Sequence, residues 1–270
     1  MKSIYNFGIY CYKQLVALAG IRNVKARKLT QGQKGIFDYL SRHADPQGGY
    51  LWIHASSLGE FEQGRPLIEA IKKAQPDTKI LLTFFSPSGY EVRKNYSGAD
   101  LICYLPFDLP GNVRRLLDLT KPTKAIFIKY EFWANYLNEL KRRNIPTYIV
   151  SAIFRPKQIF FRSYGGYFRR ILKNFTHLYI QDERSRQLLA SIGIDNVSIV
   201  GDTRFDRVGD IRRTAKELPL VEAFAQGKRY LLPAARGPKT RSSLLDISIT
   251  TTISNSFWPH TKYTNLICNR

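Results

Sequence analysis

From residue 50 onward, short apolar runs alternate with longer segments in which apolar residues recur every three or four positions. The short runs predict seven buried β-strands: Leu51–Ala55, Lys79–Phe84, Leu101–Tyr104, Ala125–Ile128, Thr147–Ser151, Leu178–Ile180 and Val197–Val200. The longer segments predict helices over 66–74, 111–119, 131–143, 164–173 and 183–192. Because strands and helices alternate with short loops, the pattern predicts an α/β fold with a Rossmann-like, doubly wound parallel sheet.

The first 20 residues follow a different pattern, rich in aromatic and aliphatic residues but interrupted by Asn6, Lys13 and Gln14. This stretch is too polar for a clear membrane span, and it lacks the cleavage pattern of a secretory signal. Basic residues follow at once: Arg22, Lys25, Arg27, Lys28 and Lys34. We therefore predict a membrane-associating helix and basic linker over residues 1–45, with a buried domain helix as the alternative.

Composition narrows the class of protein. A chain of 270 residues with 44% hydrophobic content can form one large domain or two small ones. The formal charge of +21 favours a polyanionic partner: nucleic acid, an anionic membrane surface or a phosphorylated substrate. The three cysteines form no Cys-x-x-Cys pair, which predicts a reducing compartment and no structural metal.

Candidate chemistry is densest between the first predicted strand and the helix that follows it. Ser56, Ser57 and Gly59 are small residues that can present backbone amides to a ligand, and the carboxylate of Glu60 comes directly after them. Open α/β sheets bind ligands at this edge, so Glu60 is a candidate for catalysis. The alternative is that Glu60 only stabilises the positive end of its helix.

Other predicted strands also end in polar residues. Ser86, Ser88 and Gly89 follow the second strand, Glu131 follows the fourth, and Arg204 follows the last. Each alone is typical of a helix cap or a surface ion pair, but together they predict one crevice at the carboxyl edge of the sheet. No Gly-x-Gly-x-x-Gly or Walker loop follows a strand, so neither a dinucleotide nor a P-loop nucleotide site is indicated.

Six motifs in order carry a resemblance to a known family: His54-Ala-Ser-Ser-Leu-Gly-Glu60, Ser86-Pro-Ser-Gly89, Tyr104-Leu-Pro-Phe-Asp108, Tyr130-Glu-Phe-Trp-Ala-Asn135, Ser151-Ala-Ile-Phe-Arg155 and Gly201-Asp-Thr-Arg-Phe-Asp206. Together they resemble the Kdo transferases of lipopolysaccharide assembly, which move 3-deoxy-D-manno-octulosonic acid (Kdo) from CMP-Kdo to lipid A. The resemblance covers residues 1–231. It implies the N-terminal, acceptor-binding half of a GT-B glycosyltransferase, with inverting transfer that needs no metal or other cofactor.

The resemblance also implies roles for single residues. Glu60 matches the general base of the family, and Glu131 and Arg204 match positions assigned to transition-state stabilisation, although the family usually has lysine at the position of Arg204. The implied acceptor-binding residues are Ser56, Ser57, Gly59, Ser86, Ser88 and Gly89. The implied partners are a lipid A precursor, CMP-Kdo and the anionic inner membrane, at whose cytoplasmic face we expect the protein.

The resemblance stops after Tyr230, and residues 232–270 carry no donor-domain motif. Read from the third base of each codon, the stretch 232–240 permits the family's Ala-Gly-Ser-Ser-Trp-Pro-Glu-Asp-Glu, so we interpret the tail as a frameshift product; genuine divergence is the alternative. We thus expect a membrane-associating segment over 1–45, an acceptor-binding domain over 46–231 and a disordered, out-of-frame tail over 232–270. Such a truncated chain is expected to be inactive in transfer.

Two other functions compete with the transferase. Charge and aromatic content suit a basic nucleic-acid-binding protein, but the basic residues are dispersed along helices and match no recognised binding motif, so no nucleic-acid partner is expected. A non-catalytic membrane-surface protein differs from the enzyme only in turnover.

Overall fold

The computed structural model describes residues 1–202, and the expectations for Arg204 and for the 232–270 tail lie outside this range. The helices are α1 Lys2–Ala19, α2 Val24–Gln33, α3 Ile36–His43, α4 Leu58–Ala74, α5 Pro87–Arg93, α6 Pro110–Thr120, α7 Ala134–Arg142, α8 Gly166–Leu172 and α9 Glu183–Ala190. The strands are β1 Leu51–His54, β2 Ile80–Phe84, β3 Leu101–Tyr104, β4 Lys124–Ile128, β5 Thr147–Ala152, β6 His177–Ile180 and β7 Val197–Ile199. Two short 3₁₀ turns, Ile159–Phe161 and Ser163–Gly165, precede α8.

The strands described in residues 1–202 form one parallel sheet in the order β3-β2-β1-β4-β5-β6-β7. From β1, the chain adds β2 and β3 on one side of the sheet, and then returns to add β4 to β7 on the other side of β1. The direction in which strands are added therefore reverses between β1 and β4. This confirms the predicted Rossmann-like, doubly wound sheet. The reversal creates a crevice at the carboxyl ends of β1 and β4, where such sheets bind ligands.

Alternating residues of the strands pack into two hydrophobic cores, one on each face of the sheet. Trp52, Leu81 and Phe127 pack on one face of the sheet in the larger core, with residues of α3 and α6 to α9. Ile53 and Leu82 pack on the other face with residues of α4, including Phe61 and Ile68. The successive residues 52 and 53 thus lie in different cores, and all four residues of β1 are buried. Burial on both faces explains why the strands read as continuous apolar runs.

Three details differ from the predicted elements. Helix α4 begins at Leu58, eight residues before the predicted start, and Pro66 lies inside it. Helix α7 begins at Ala134 because the segment after β4 is irregular, with Lys129 at a left-handed φ of 75°. Residues 24–43, expected to be a basic linker, form α2 and α3, whose buried side chains join the larger core.

Helix α1 has two apolar faces. Tyr5, Ile9 and Val16 pack against the larger core. Ile4 and Leu15 lie on the opposite side and are 69% and 63% exposed, in line with exposed Phe7 and Leu18. The helix is therefore docked on the domain and also presents an apolar stripe to its surroundings. Among the helices of residues 1–202, none has the length and hydropathy needed to cross a membrane.

Candidate functional site

The carboxyl ends of β1 and β4 bring His54 and Glu131 together in the crevice. The two residues are 77 positions apart in the sequence, but β1 and β4 are neighbours in the sheet. His54 Nε2 lies 3.1 Å from Glu131 Oε2, and both side chains are buried. The predicted convergence of strand ends is thus seen for these two strands.

A chain of hydrogen bonds fixes the His54 ring. The Trp52 indole donates to Thr83 Oγ1 at 2.8 Å, and Thr83 Oγ1 lies 2.8 Å from His54 Nδ1. Because an ionised carboxylate can only accept, His54 directs an N–H at Nε2 toward Glu131, while Nδ1 also lies 3.0 Å from the Thr83 carbonyl oxygen. The network therefore fixes the orientation of the ring.

Glu131 is a buried carboxylate held in its charged form. Its Oε2 accepts from the Trp133 indole at 2.5 Å as well as from His54. Burial alone would raise the pKa of Glu131, but the hydrogen bonds from His54, Ser56 and Trp133 and the attraction of His54 outweigh it, and the pKa is lowered. The crevice thus holds one fixed negative charge.

Glu60 lies in the first turn of α4 and forms a capping box with Ser57. Its Oε2 accepts from the Ser57 backbone N–H at 2.8 Å and from the Ser57 hydroxyl at 3.1 Å. The capping role considered from the sequence is therefore present. Among the described residues, these hydrogen bonds reach only Oε2, so Oε1 can still accept a hydrogen bond from a ligand.

The electrostatic setting of Glu60 is opposite to that of Glu131. Partial burial raises the pKa of Glu60, and the negative charge of Glu131 raises it further; hydrogen bonds from Ser57 only partly counter this. A carboxylate with a raised pKa accepts a proton more readily at neutral pH. The pKa values of the two acids are therefore shifted in opposite directions: that of Glu131 is lowered and that of Glu60 is raised.

The predicted acceptor-binding serines line the same edge. The Ser56 carbonyl accepts from the Ser86 amide at 2.7 Å, which joins the loop after β1 to the loop after β2. Ser57 caps α4, while Ser86 Oγ caps α5 and lies 3.0 Å from the exposed Ser88 Oγ. The hydroxyls of Ser57 and Ser86 make helix-cap hydrogen bonds, whereas the Ser56 hydroxyl lies 3.4 Å from His54 Nε2 in the crevice.

The two predicted glycines differ in their surroundings. A Cβ on Gly59 would meet nothing within 4 Å, and Gly59 lies in the first helical turn without a left-handed φ. Gly59 is therefore not required for a sharp turn. A Cβ on Gly89 would lie 2.3 Å from the Phe84 ring and 3.1 Å from the Ser57 backbone. Gly89 thus permits α5 to approach the Ser57 backbone at the N-terminus of α4.

Three contributors to the site were not singled out from the sequence: His54, Thr83 and Trp133. His54 is flanked by apolar strand residues, a pattern typical of a core histidine, and its partner lies 77 residues away. The available signal was its position at the end of β1, two residues before Ser56. Arg204 lies outside the described residues, so its place relative to the crevice stays a prediction.

Taken together, the crevice holds a proton acceptor beside a fixed anion, at an edge where a ligand can enter. Such a pair can remove a proton from a hydroxyl and stabilise positive charge that develops nearby. Within residues 1–202, His, Cys, Asp and Glu side chains form no group of three suited to a metal ion.

Comparison with known proteins adds independent findings. The model of one protein family, described as 3-deoxy-D-manno-octulosonic-acid transferase (kdotransferase), matches residues 26–207. The 3-deoxy-D-manno-octulosonic acid transferase of Haemophilus influenzae is 25% identical over 73% of this chain and 47% of its own length. That of Rickettsia bellii is 26% identical over 89% of this chain and 55% of its own, and that of Aquifex aeolicus is 30% identical over 58% and 41%. The chain thus spans about half the length of the curated relatives it matches.

Among solved structures, the UDP-GlcNAc 2-epimerase of Neisseria meningitidis superposes with a TM-score of 0.50 and 15% identity, over 66% of this chain and 53% of that one. At this identity the likeness concerns the fold alone. It agrees with the GT-B architecture expected from the sequence.

Proposed function

The chain belongs to the 3-deoxy-D-manno-octulosonic-acid (Kdo) transferase family, and on that premise we propose that it is the acceptor-binding half of an enzyme that transfers Kdo from CMP-Kdo to a lipid A precursor. The transfer is direct, inverts the anomeric centre and uses no metal. Residues 1–202 supply the acceptor side of the reaction, whereas the donor side requires a second domain, for which residues 232–270 carry no motif.

The observation that carries this proposal is the unlike pair of carboxylates at the carboxyl edge of β1 and β4. In the proposed reaction an acceptor hydroxyl donates its proton to Glu60 as its oxygen attacks the anomeric carbon of Kdo. The bond between that carbon and the phosphate oxygen breaks, and CMP leaves with the bonding electrons. The raised pKa of Glu60 supports its role as the base, because it brings the carboxylate closer to the proton affinity needed at neutral pH.

Glu131 has a different proposed role. Its lowered pKa keeps it ionised, and a fixed anion stabilises the positive charge that develops on the sugar ring in the transition state. Glu131 also supports catalysis indirectly, because its charge helps to raise the pKa of Glu60. Arg204 is proposed to stabilise the departing phosphate by its charge.

Acceptor binding is proposed to use the rim of the crevice. Ser56, Ser57, Ser86 and Ser88 provide hydroxyls at this rim, while the open surface over Gly59 leaves room for a sugar to approach the first turn of α4. The net charge of +21 supports a phosphorylated, anionic acceptor.

The test compares Glu60→Gln with Glu60→Ala in two proteins: the chain as it is and a version whose reading frame is restored near Leu232. CMP-Kdo-dependent transfer to a lipid A precursor is the readout, with binding of the precursor measured separately. In the restored protein both substitutions should reduce turnover by about 10²- to 10⁴-fold, the scale of a lost general base. A glutamine side chain can still accept a hydrogen bond from the Ser57 backbone N–H, so the Glu60→Gln protein should keep the fold of the parent.

Two outcomes would contradict the proposal. Near-normal turnover of the restored Glu60→Gln protein would leave Glu60 as a capping residue only. A restored chain that binds DNA more tightly than the lipid A precursor, with a strong salt dependence, would favour the nucleic-acid-binding alternative.

We also propose that α1 lies on the anionic cytoplasmic face of the inner membrane. The exposed stripe of Ile4, Phe7, Leu15 and Leu18 supports this placement, because such surface is costly to leave in water. The neighbouring cations add electrostatic attraction, and all of them are exposed: Arg22, Lys25, Arg27, Lys28 and Lys34.

A further inference from the structure

The first turn of α7 takes its hydrogen-bond acceptors from distant parts of the chain. Its N-cap residue, Trp133, makes no side-chain cap. Instead, the Ala134 amide donates to Tyr5 Oη at 3.3 Å. The Asn135 and Tyr136 amides donate to the two carboxylate oxygens of Asp108, each at 3.0 Å. The Asp108 carboxylate and the Tyr5 hydroxyl therefore accept the N-terminal amide hydrogen bonds of α7 that a cap would otherwise accept.

These acceptors also bind each other. Tyr5 Oη donates to Asp108 Oδ2 at 2.7 Å, and Asp108 is fully buried. The Asn135 side-chain amide donates to the Asp108 carbonyl at 2.6 Å and to Asn6 Oδ1 at 2.8 Å. One buried polar cluster thus joins α1, the loop after β3 and the start of α7.

The cluster lies next to the site carboxylate in the chain. Only Phe132 and Trp133 separate Glu131 from Ala134, and Trp133 donates its indole N–H to Glu131. The Trp133 ring also packs on Phe85, with centroids 4.9 Å apart. A displacement of the α7 start would therefore move Trp133 and, through it, Glu131.

We propose that Tyr5 and Asp108 are positioning residues for Glu131. They fix the start of α7, and the segment between β4 and α7 then holds Glu131 within reach of His54 and Trp133. Helix α1 is accordingly part of the scaffold of the site as well as the part of the domain that carries the exposed apolar stripe. The role of Glu131 in catalysis rests on the proposed function, whereas its positioning by Tyr5 and Asp108 does not.

Amide and indole hydrogen exchange, followed by NMR in the full chain, tests the proposal without turnover. Tyr5→Phe removes one hydroxyl and keeps the ring. Tyr10→Phe is the matched control, because Tyr10 lies on the same helix and is 51% exposed. Exchange of the buried Ile149 amide in β5 reports global stability in both variants.

In Tyr5→Phe, both the Ala134 amide and the Trp133 indole N–H should exchange roughly three- to tenfold faster relative to Ile149, the scale of one lost hydrogen bond. Tyr10→Phe should change neither. Faster exchange at Ala134 with an unchanged Trp133 indole would overturn the proposal, since the cluster would then cap α7 without positioning Glu131. Unchanged exchange at both would overturn it as well.

Asp108→Asn provides a second variant should Tyr5→Phe fold poorly. Asparagine can accept from only one of the two α7 amides, so Trp133 should again lose protection relative to Ile149. If the variants show this pattern while the frame-restored parent, with Tyr5 and Asp108 intact, has no transferase activity, the result would count against the proposed function and leave the positioning role intact.

Discussion

Asp108 should make the stability of the domain depend on pH in an unusual direction. Burial raises the pKa of Asp108 to about 6, against 3.8 for the ordinary side chain, although hydrogen bonds from Tyr5, Asn135 and Tyr136 partly lower it. Between these two pH values the folded protein binds a proton that the unfolded chain does not. The free energy of unfolding should therefore rise as the pH falls from about 6 to about 4, because acid relieves the cost of the buried charge.

The size of this effect follows from the two pKa values. A difference of about 2 pKa units corresponds to roughly 3 kcal/mol, fully gained below the unfolded pKa and lost as the pH rises through the folded pKa. Other carboxylates, such as Glu139 with a pKa of about 2, work in the opposite direction and would mask the effect in the parent protein alone. The comparison with Asp108→Asn removes this background.

The assay is urea unfolding of the parent and of Asp108→Asn at several pH values between 4 and 7.5, followed by tryptophan fluorescence. As the pH falls from 7.5 to 4, the free energy of unfolding of the parent should rise by roughly 2 to 3 kcal/mol relative to that of the variant. Tyr5→Phe is an informative control, since loss of its hydrogen bond should raise the pKa of Asp108 and move the gain to higher pH. A difference between parent and Asp108→Asn that is constant across the range would refute the reasoning.

Three further predictions concern other parts of the domain. Gly89→Ala should destabilise the domain by about 1 to 3 kcal/mol in urea unfolding, because the new methyl group collides with Phe84. The control Gly59→Ala should be neutral or stabilising by up to about 1 kcal/mol. Equal effects of the two substitutions would contradict the close approach of α5. Glu60→Ala should cost about 0.5 to 2 kcal/mol of stability through its lost cap while Glu60→Gln costs less, and equal losses would argue against the capping box. Phe7→Gln should weaken sedimentation with anionic vesicles at unchanged stability, and unchanged sedimentation would count against the membrane placement of α1.

Sequence patterns predicted the sheet well and the helix starts less well. The strands were recognisable because burial on both faces makes them continuous apolar runs such as Leu51–His54. The predicted start of α4 was residue 66, where the apolar periodicity begins, but the spacing of Ser57 and Glu60 is a capping box and marks the observed start. The start of α7 has no local signal, because its acceptors, Tyr5 and Asp108, lie elsewhere in the chain.

The site was predictable to a similar degree. The polar residues at the ends of β1 and β4 indicated a crevice, because carboxyl ends of parallel strands share one edge. The pairing of His54 with Glu131, and the rise in the pKa of Glu60 that the charge of Glu131 adds, depend on contacts between residues far apart in sequence. No local pattern distinguishes a histidine that orients a carboxylate from one that fills a core.

The pKa values of the two carboxylates are shifted in opposite directions, which suits the base and the fixed anion of the proposed reaction. The contacts that lower the pKa of Glu131 keep its charge in place, and that charge, added to partial burial, raises the pKa of Glu60. A residue that served only as a helix cap would gain nothing from a raised pKa, because capping favours the ionised form. In the proposed reaction, this raised pKa favours proton transfer from the acceptor hydroxyl to Glu60.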